Sequence, residues 1–312
     1  MMQLLVVKEQ LKSFYQKYSI YLEPIAKLLT ALVVFTLINK QLGFNPRLCG
    51  LPIVLILSTF CAFTPSVFLV VLAMLLSIGH ILAISKILAG LVAMVLLIMY
   101  CFFSRLTPKF GHIVIAVPIL YFLKIPYCVP ILLGLMASPI AIIPVACGTA
   151  AYFLIITIKE LTSATLGASM EDIINLVRTV VDGWMKNPDM IFAMTVFCIV
   201  LVTIYIIRKQ DFNYSFEIAI MVGAVVNILG FFIGNLGLDI QVNLLEVLLG
   251  TIGSALIAYI VWFFRLTLDH TAIERIQFED DDYYYYVKAV PKMKVTPPEK
   301  SVKKINEKKE TT

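Results

Sequence analysis

The sequence predicts an all-α fold, a polytopic transmembrane helical bundle of about seven to nine spans. Hydrophobic residues make up 60% of its 312 residues and charged residues only 14%, against roughly 45–50% and about 25% in soluble domains. The apolar residues also gather into runs between Leu28 and Phe264, and runs of about 17–25 residues are needed to cross a hydrocarbon core of about 30 Å. A lipid bilayer is therefore the expected environment of the chain.

Residues 1–22 predict an N-terminal amphipathic helix. Apolar side chains recur there at three- and four-residue steps, and the lysines fall mainly between them. Such a helix ahead of a span lies on lipid headgroups or packs on a partner helix, and both remain open. The segment lacks a long apolar core followed by a cleavage site of small residues, so we expect no removable signal peptide.

Residues 23–158 predict the first group of membrane helices. The first span runs from about Ile25 to Asn39. The run Leu51–Ile84 is too long for one crossing, and Thr64–Pro65 in its middle predicts two spans, the first of them short. A further span follows at Ile87–Phe103.

Proline then interrupts the segment 113–144. Ile113–Leu123 and Ile125–Ala137 are each shorter than a crossing, so they predict either a re-entrant hairpin or one kinked span, and Pro139–Ile158 predicts a full span. Transporters place substrate where helices are broken near the bilayer centre. The polar residues of the broken stretch are therefore candidates for a substrate pathway, with a structural kink or an edge loop as the alternative: Lys124, Tyr127 and Ser138.

Residues 159–189 predict an extracytoplasmic loop with an amphipathic helix of its own. Ser169 followed by Asp172 resembles a capping box in which Asp replaces the usual Glu. After it, Val177, Val180 and Trp184 recur on one helical face.

Residues 190–265 predict three C-terminal membrane helices, at Met190–Ile207, Phe216–Ile233 and Leu244–Phe264. Small residues on one side of the penultimate span, and at four-residue steps in the last span, favour close helix packing in lipid: Gly223, Gly230, Gly234, Gly250, Ser254 and Ala258. Asn227, near the middle of its span, is a fourth candidate for the substrate pathway. Glu217 and Glu246 lie near span ends, where we expect interfacial carboxylates, with proton or cation coupling as the alternative.

Charge bias predicts the orientation of the chain. Arg208 and Lys209 mark one loop as cytoplasmic, the next loop has no Lys or Arg, and Arg265 begins the tail. The tail is thus expected in the cytoplasm and the loop 159–189 outside. A cytoplasmic N-terminus places Lys40 and Arg47 outside, against the rule, and a hairpin at 113–137 is what keeps both termini inside.

Several functional classes find no support in the sequence. The six cysteines are scattered singly, and no nucleotide-binding, metalloprotease or serine-hydrolase motif is present. We therefore expect no enzymatic activity, no metal or other cofactor, and no nucleic-acid partner.

Residues 266–312 predict a cytoplasmic tail that is disordered from about residue 296. It contains an acidic and tyrosine-rich motif: Asp280, Asp281, Asp282, Tyr283, Tyr284, Tyr285 and Tyr286. Three readings stay open, a solvated connector, an unpaired β-prone segment that docks on a cytosolic protein, and a phosphorylation switch.

The motif "EDDDYYYYVKAVPK" after a polytopic body resembles an uncharacterised family of bacterial, Firmicutes-type multi-pass membrane proteins. The resemblance implies location in a bacterial plasma membrane and brings no activity or functional residues with it. The sequence thus favours a permease-like protein for an unknown solute. The alternative is a membrane scaffold that recruits a cytosolic partner through its tail, and a homo-oligomer is left open.

Overall fold

The structure is a computed structural model that describes residues 2–107, 110–163, 170–210, 214–237, 243–266, 274–279 and 284–289. The capping-box serine, Ser169, lies outside these residues. So do Asp280 to Tyr283 and the segment from 296 for which disorder is expected.

Helices make up nearly all of the described chain. Their bounds are α1 Met2–Gln41, α2 Leu51–Phe63, α3 Ser66–Leu82, α4 Lys86–Leu106, α5 Ile113–Phe122, α6 Cys128–Met136, α7 Ile142–Ser163, α8 Met170–Met185, α9 Pro188–Arg208, α10 Ser215–Gly237 and α11 Leu244–Val261. A 3₁₀ turn, Pro139–Ala141, precedes α7, and a π turn, Trp262–Leu266, follows α11.

The predicted all-α membrane fold is confirmed. Within the described ranges, six helical segments are long and apolar enough to cross a membrane: Lys17–Gln41, Lys86–Leu106, Pro139–Leu161, Asn175–Arg208, Ser215–Gly237 and Leu244–Phe264. The break at Thr64 and Pro65 divides the next apolar run into α2 and α3, of 13 and 17 residues. Counting these two shorter helices as crossings gives eight spans, within the predicted range.

The predicted N-terminal helix continues directly into the first span. The helix α1 runs without interruption from Met2 to Gln41 and includes Pro24. A proline inside a helix removes one backbone hydrogen bond, here the one to the carbonyl of Ile20. The helix continues because the apolar, helix-forming residues on both sides of Pro24 stabilise it by more than the lost hydrogen bond costs.

The order of α9, α10 and α11 defines two ends of the bundle. Gly223 packs on Ile204 while Gly234 packs on Phe192, so α10 runs antiparallel to α9. Arg208 closes α9 at one end, called here the Arg208 end. Glu246 lies in the first turn of α11 at the opposite end, called the Glu246 end.

The helices α4, α7 and α8 meet at the Glu246 end. Leu88 near the start of α4 packs with Leu154 and Ile158 in the second half of α7 and with Val180 of α8. The predicted amphipathic helix is thus α8, and its apolar face covers α7. Trp184 also donates a hydrogen bond from Nε1 to the carbonyl of Ala150, at 2.9 Å.

The helices α5 and α6 form a re-entrant hairpin. They contain 10 and 9 residues, so each is about 15 Å long or less, half of a hydrocarbon core. The hairpin begins where Val114 packs on Phe103, near the end of α4. It ends where Arg208 donates hydrogen bonds to the carbonyls of Leu135 and Ala137. Because both ends lie at the Arg208 end, the single kinked span is excluded.

The chain divides into two compact units, residues 20–263 and residues 1–19 with 264–312. The second contains a two-stranded antiparallel sheet in which β1, Glu274–Glu279, pairs with β2, Tyr284–Ala289. Glu279 lies opposite Tyr284 in the register. The expectation of an unpaired β-prone segment is therefore corrected, because the upstream residues that alternate apolar and polar supply a partner strand.

Candidate functional site

The tip of the hairpin is a tight turn between α5 and α6. Lys124 has a φ of 62° there, a left-handed conformation that is uncommon for a residue with a side chain. The turn is closed by a hydrogen bond of 2.9 Å from the amide of Ile125 to the carbonyl of Leu120. Pro126, which has no amide hydrogen to leave unpaired, stands just before the start of α6.

Gly250 of α11 sets the depth of the tip. A methyl group on Gly250 would come within 2.8 Å of the Tyr127 ring and 3.0 Å of the Lys124 carbonyl oxygen. The absence of a side chain at this position is therefore what lets the tip approach α11. Gly250 lies six residues after Leu244, the first residue of α11, which is about 9 Å along the helix. The tip is thus well inside the membrane-spanning part of the bundle.

The Lys124 side chain forms an ion pair with Glu246. Its Nζ lies 2.7 Å from the Glu246 carboxylate, and the two side chains are 71% and 47% exposed. A long lysine stem can carry its ammonium group from a deep backbone position toward the membrane surface. The sequence predicted Glu246 as an interfacial carboxylate. It could not predict the ion pair with Lys124, since the two residues are 122 positions apart.

Asn227 is completely buried at the centre of α10. Its Nδ2 donates a hydrogen bond of 2.7 Å to Oγ1 of Thr251, the residue that follows Gly250. The Oδ1 atom is buried without a hydrogen-bond partner among the described residues. Three of the four predicted pathway residues therefore lie against two adjacent residues of α11, called here the Gly250–Thr251 step. Lys124 and Tyr127 lie next to Gly250, and Asn227 bonds to Thr251.

Ser138 does not belong to this group. It is exposed, and it follows the carbonyl of Ala137 that Arg208 binds. It therefore lies at the Arg208 end, separated from the other three residues by about the length of α6. The sequence did not predict Arg208 as a site residue. It shows only a basic residue at the end of a span, and the carbonyls that Arg208 binds are more than 70 positions away.

Aromatic side chains fix the tip against the bundle. Tyr127 lies with its ring 6.2 Å from that of Phe197 and 5.3 Å from that of Phe231. Tyr121, on the other arm of the hairpin, lies 6.0 Å from Phe197. The Phe197 ring of α9 is thus contacted by one tyrosine from each side of the hairpin turn.

The predicted small residues lie in close helix contacts. In α10, Gly223, Gly230 and Gly234 face Ile204, Val196 and Phe192 of α9. In α11, Gly250 faces the hairpin tip, and Ser254 and Ala258 are completely buried.

A second polar network lies at the Glu246 end. His80 is completely buried, and its Nε2 is 2.8 Å from Oδ1 of Asn39. Its Nδ1 accepts a hydrogen bond of 3.3 Å from the amide of Asn45. Both ring nitrogens are thus occupied in tying the loop after α1 to the end of α3, which is a structural role.

An apolar cavity of about 90 Å³ lies between α1, α3, α4, α5 and α7. Ser77 is the one residue in its described lining with a polar side chain, and its hydroxyl donates to the Ala73 carbonyl at 2.8 Å. This cavity therefore offers no free polar group to a solute.

No three His, Cys, Asp or Glu side chains lie together as metal ligands in the part of the chain that the structure describes. Comparison with family models, curated proteins and solved structures found no match. The assignment of function therefore depends on the geometry of this chain alone.

Proposed function

We propose that this protein moves a small polar solute across the membrane and that the tip of the α5–α6 hairpin is its gate. The observation that carries the proposal is the Lys124–Glu246 ion pair at the broken point of a half-length hairpin. The proposed function does not include an enzymatic activity.

The physical reason begins with the backbone of the tip. The backbone between α5 and α6 leaves the regular helical pattern, as the hydrogen bond from the amide of Ile125 to the carbonyl of Leu120 shows. Irregular backbone at membrane depth is tolerated when it is buried in protein or lines a water-filled path. Tyr127 is buried, whereas Leu123 and Lys124 are exposed. One side of the tip is thus packed against the protein. We expect the path of the solute on its other side.

The ion pair supports the same interpretation. Charged side chains within membrane segments are rare and mark substrate or ion pathways. Because both partners of the Lys124–Glu246 pair are substantially exposed, the pair is weakly held and can open. A solute carrying charge or hydrogen-bonding groups could compete for either partner and release the tip from α11.

Proteoliposomes provide the test. Purified protein is reconstituted and exposed to an isotope-labelled mixture of amino acids, sugars, nucleosides and inorganic ions, and the trapped solutes are identified by mass spectrometry. We expect enrichment of one solute class over protein-free liposomes. Lys124→Met and Glu246→Gln should each reduce that uptake by up to about fivefold, the loss expected when an exposed charged contact of at most about 1 kcal/mol is removed.

The chain contains a matched control. Lys186 and Asp182 form an ion pair of 3.0 Å on α8, also with both side chains exposed. Lys186→Met and Asp182→Asn should leave uptake unchanged. Uptake that is absent for every solute class, or equal in the Lys124 and Lys186 variants, contradicts the proposal.

The β1–β2 sheet favours a second candidate, a scaffold that recruits a cytosolic partner. A two-stranded sheet is marginally stable by itself, and each strand has one edge without a strand neighbour among the described residues. Such edges accept a further strand from another protein. The motif Asp280 to Tyr286 connects and includes these strands, so docking or phosphorylation would act there.

Deletion of the tail tests this candidate. Cross-linking in native membranes followed by mass spectrometry should identify a partner of the full chain that is lost when residues 267–312 are removed. Removal of residues 296–312 alone should retain it, because both strands remain. A partner set unchanged by the longer deletion argues against the scaffold.

We also propose a bacterial plasma membrane as the location, with the Arg208 end and the C-terminal tail in the cytoplasm. The support is the charge of the connecting segments. Arg105 and Arg208 end α4 and α9 at the Arg208 end, and Lys209 follows. Cytoplasmic loops are enriched in such residues.

A further inference from the structure

The Asn227 side chain has one end of its amide paired and one end free. Its Nδ2 donates to Thr251 Oγ1 at 2.7 Å, and its Oδ1 is buried and without a partner among the described residues. Rotating the amide by 180° would exchange the two atoms and leave Nδ2 unpaired instead. In either orientation, the core between α10 and α11 holds an unpaired polar atom.

The neighbouring hydroxyl groups favour Oδ1 as the free atom. Serine and threonine hydroxyls inside helices commonly donate to the carbonyl four residues earlier, as Ser254 does to Gly250 at 2.7 Å. A Thr251 hydroxyl oriented in the same way would accept from Asn227, and in the structure Nδ2 does face it. The free end of the amide is then a carbonyl oxygen, which needs a cation or a hydrogen-bond donor.

A second free oxygen lies at the same step of α11. The Lys124 carbonyl oxygen would lie 3.0 Å from a Cβ atom on Gly250, and no backbone amide in the described turns and loops donates a hydrogen bond to it. The left-handed conformation of Lys124 places this carbonyl outside the hydrogen-bond pattern of both hairpin helices. Two oxygen acceptors without a described donor therefore border the Gly250–Thr251 step, one from α10 and one from the turn between α5 and α6.

We propose that a monovalent metal cation binds at this step, with the Asn227 side-chain oxygen and the hairpin tip on either side of it. Oxygen atoms of amides and carbonyls suit hard cations. Calcium and magnesium sites are built with carboxylates, and the one acidic residue of α11, Glu246, is engaged by the Lys124 ammonium group. A neutral set of oxygens, one of them on the buried Asn227 side chain, therefore favours a single charge. The site does not depend on solute movement, although a bound cation would couple the tip to α10 and α11.

Thermal unfolding of the purified full-length protein tests the site. The protein is titrated with sodium chloride, with choline chloride keeping the ionic strength constant. Because a ligand that binds the folded state stabilises it, we expect the melting temperature to rise and saturate with sodium. Asn227→Leu, which keeps the side-chain shape, should abolish the rise or weaken the apparent sodium affinity by about tenfold or more. Asn175→Leu, the same change at an exposed position of α8, should keep it.

A saturable rise that is equal in the Asn227 and Asn175 variants overturns the proposal. If Asn227→Leu does not fold, equilibrium binding of radioactive sodium to the wild-type protein decides, and the absence of binding overturns the proposal as well. Lys124→Met removes the ammonium group but keeps the carbonyl oxygen, so it should retain the sodium effect. That variant separates the two proposals, since uptake should fall in it while sodium binding survives.

Discussion

At the scale of single residues, position in the fold decides what each polar or small side chain does. Gly250 and Gly253 lie three residues apart on α11, yet Gly250 touches the hairpin tip and a Cβ on Gly253 would meet nothing within 4 Å. Their sequence surroundings are alike, so the difference comes only from which face of α11 the tip contacts.

This difference predicts opposite effects of one substitution. Gly250→Ala should lower stability by about 1–3 kcal/mol, because the new methyl group would force the Tyr127 ring and a backbone carbonyl to move. Gly253→Ala should be neutral or raise stability by about 0.5–1 kcal/mol, since alanine is the better helix former. Thermal unfolding in detergent measures both. Equal effects would show that the tip does not rest on Gly250.

Arg208 predicts a second residue effect. Its guanidinium group donates to the carbonyl of Leu135 in the last turn of α6 and to that of Ala137, which follows the helix. Carbonyls at a helix end lack helical partners. Arg208→Gln should lower the free energy of unfolding by about 1.5–3 kcal/mol, the range for hydrogen bonds to charged groups.

Lys209, the next residue, is exposed and supplies the control. Lys209→Gln should change stability by no more than about 0.5 kcal/mol. A stability loss that is the same for both substitutions would indicate a general effect of charge at this end of the bundle, not an anchor for the hairpin.

At the scale of elements, the re-entrant hairpin is the feature that sets this bundle apart from a simple array of spans. Its helices are too short to cross, so the sequence reduced the choice to a hairpin or a kinked span. Packing decides between them, because Val114 lies on Phe103 and Ala137 lies on Arg208, at one end of the bundle.

The hairpin predicts the accessibility of its ends. In a variant with the six native cysteines replaced, His112→Cys and Ser138→Cys should react with a membrane-impermeant thiol reagent from the same side of the membrane. Gln41→Cys, at the end of α1, should react from the opposite side, because Gln41 bonds to Lys159 at the Glu246 end. Labelling of positions 112 and 138 from opposite sides would mean a single kinked span.

At the scale of the whole molecule, the architecture has an orientation that reporter fusions can measure. When α2 and α3 are counted as crossings with the six longer segments, both ends of residues 20–263 lie on the same side, and charge bias predicts that this side is the cytoplasm. Alkaline phosphatase, active only outside the cytoplasm, should therefore be inactive when fused after residue 266. It should be active when inserted between α7 and α8. The reverse pattern would overturn the charge-based orientation.

The sequence by itself determined the membrane class, most of the helices and their breaks. Composition and apolar run length fix these features because the bilayer demands about 17–25 apolar residues for each crossing. It also pointed to Lys124, Tyr127 and Asn227. It could not show that α1 continues through Pro24 into the first span, since the effect of Pro24 depends on the balance along the whole of α1.

Only the tertiary structure decided which of these residues meet. Periodicity relates positions three or four apart, whereas Lys124 meets Glu246 across 122 positions and Asn227 meets the tip through the Gly250–Thr251 step. The same long-range packing leaves Ser138 at the Arg208 end. Helix contacts in lipid are made by shape and by a few polar pairs, and that information belongs to the folded bundle, where distant helices bring their small and polar residues together.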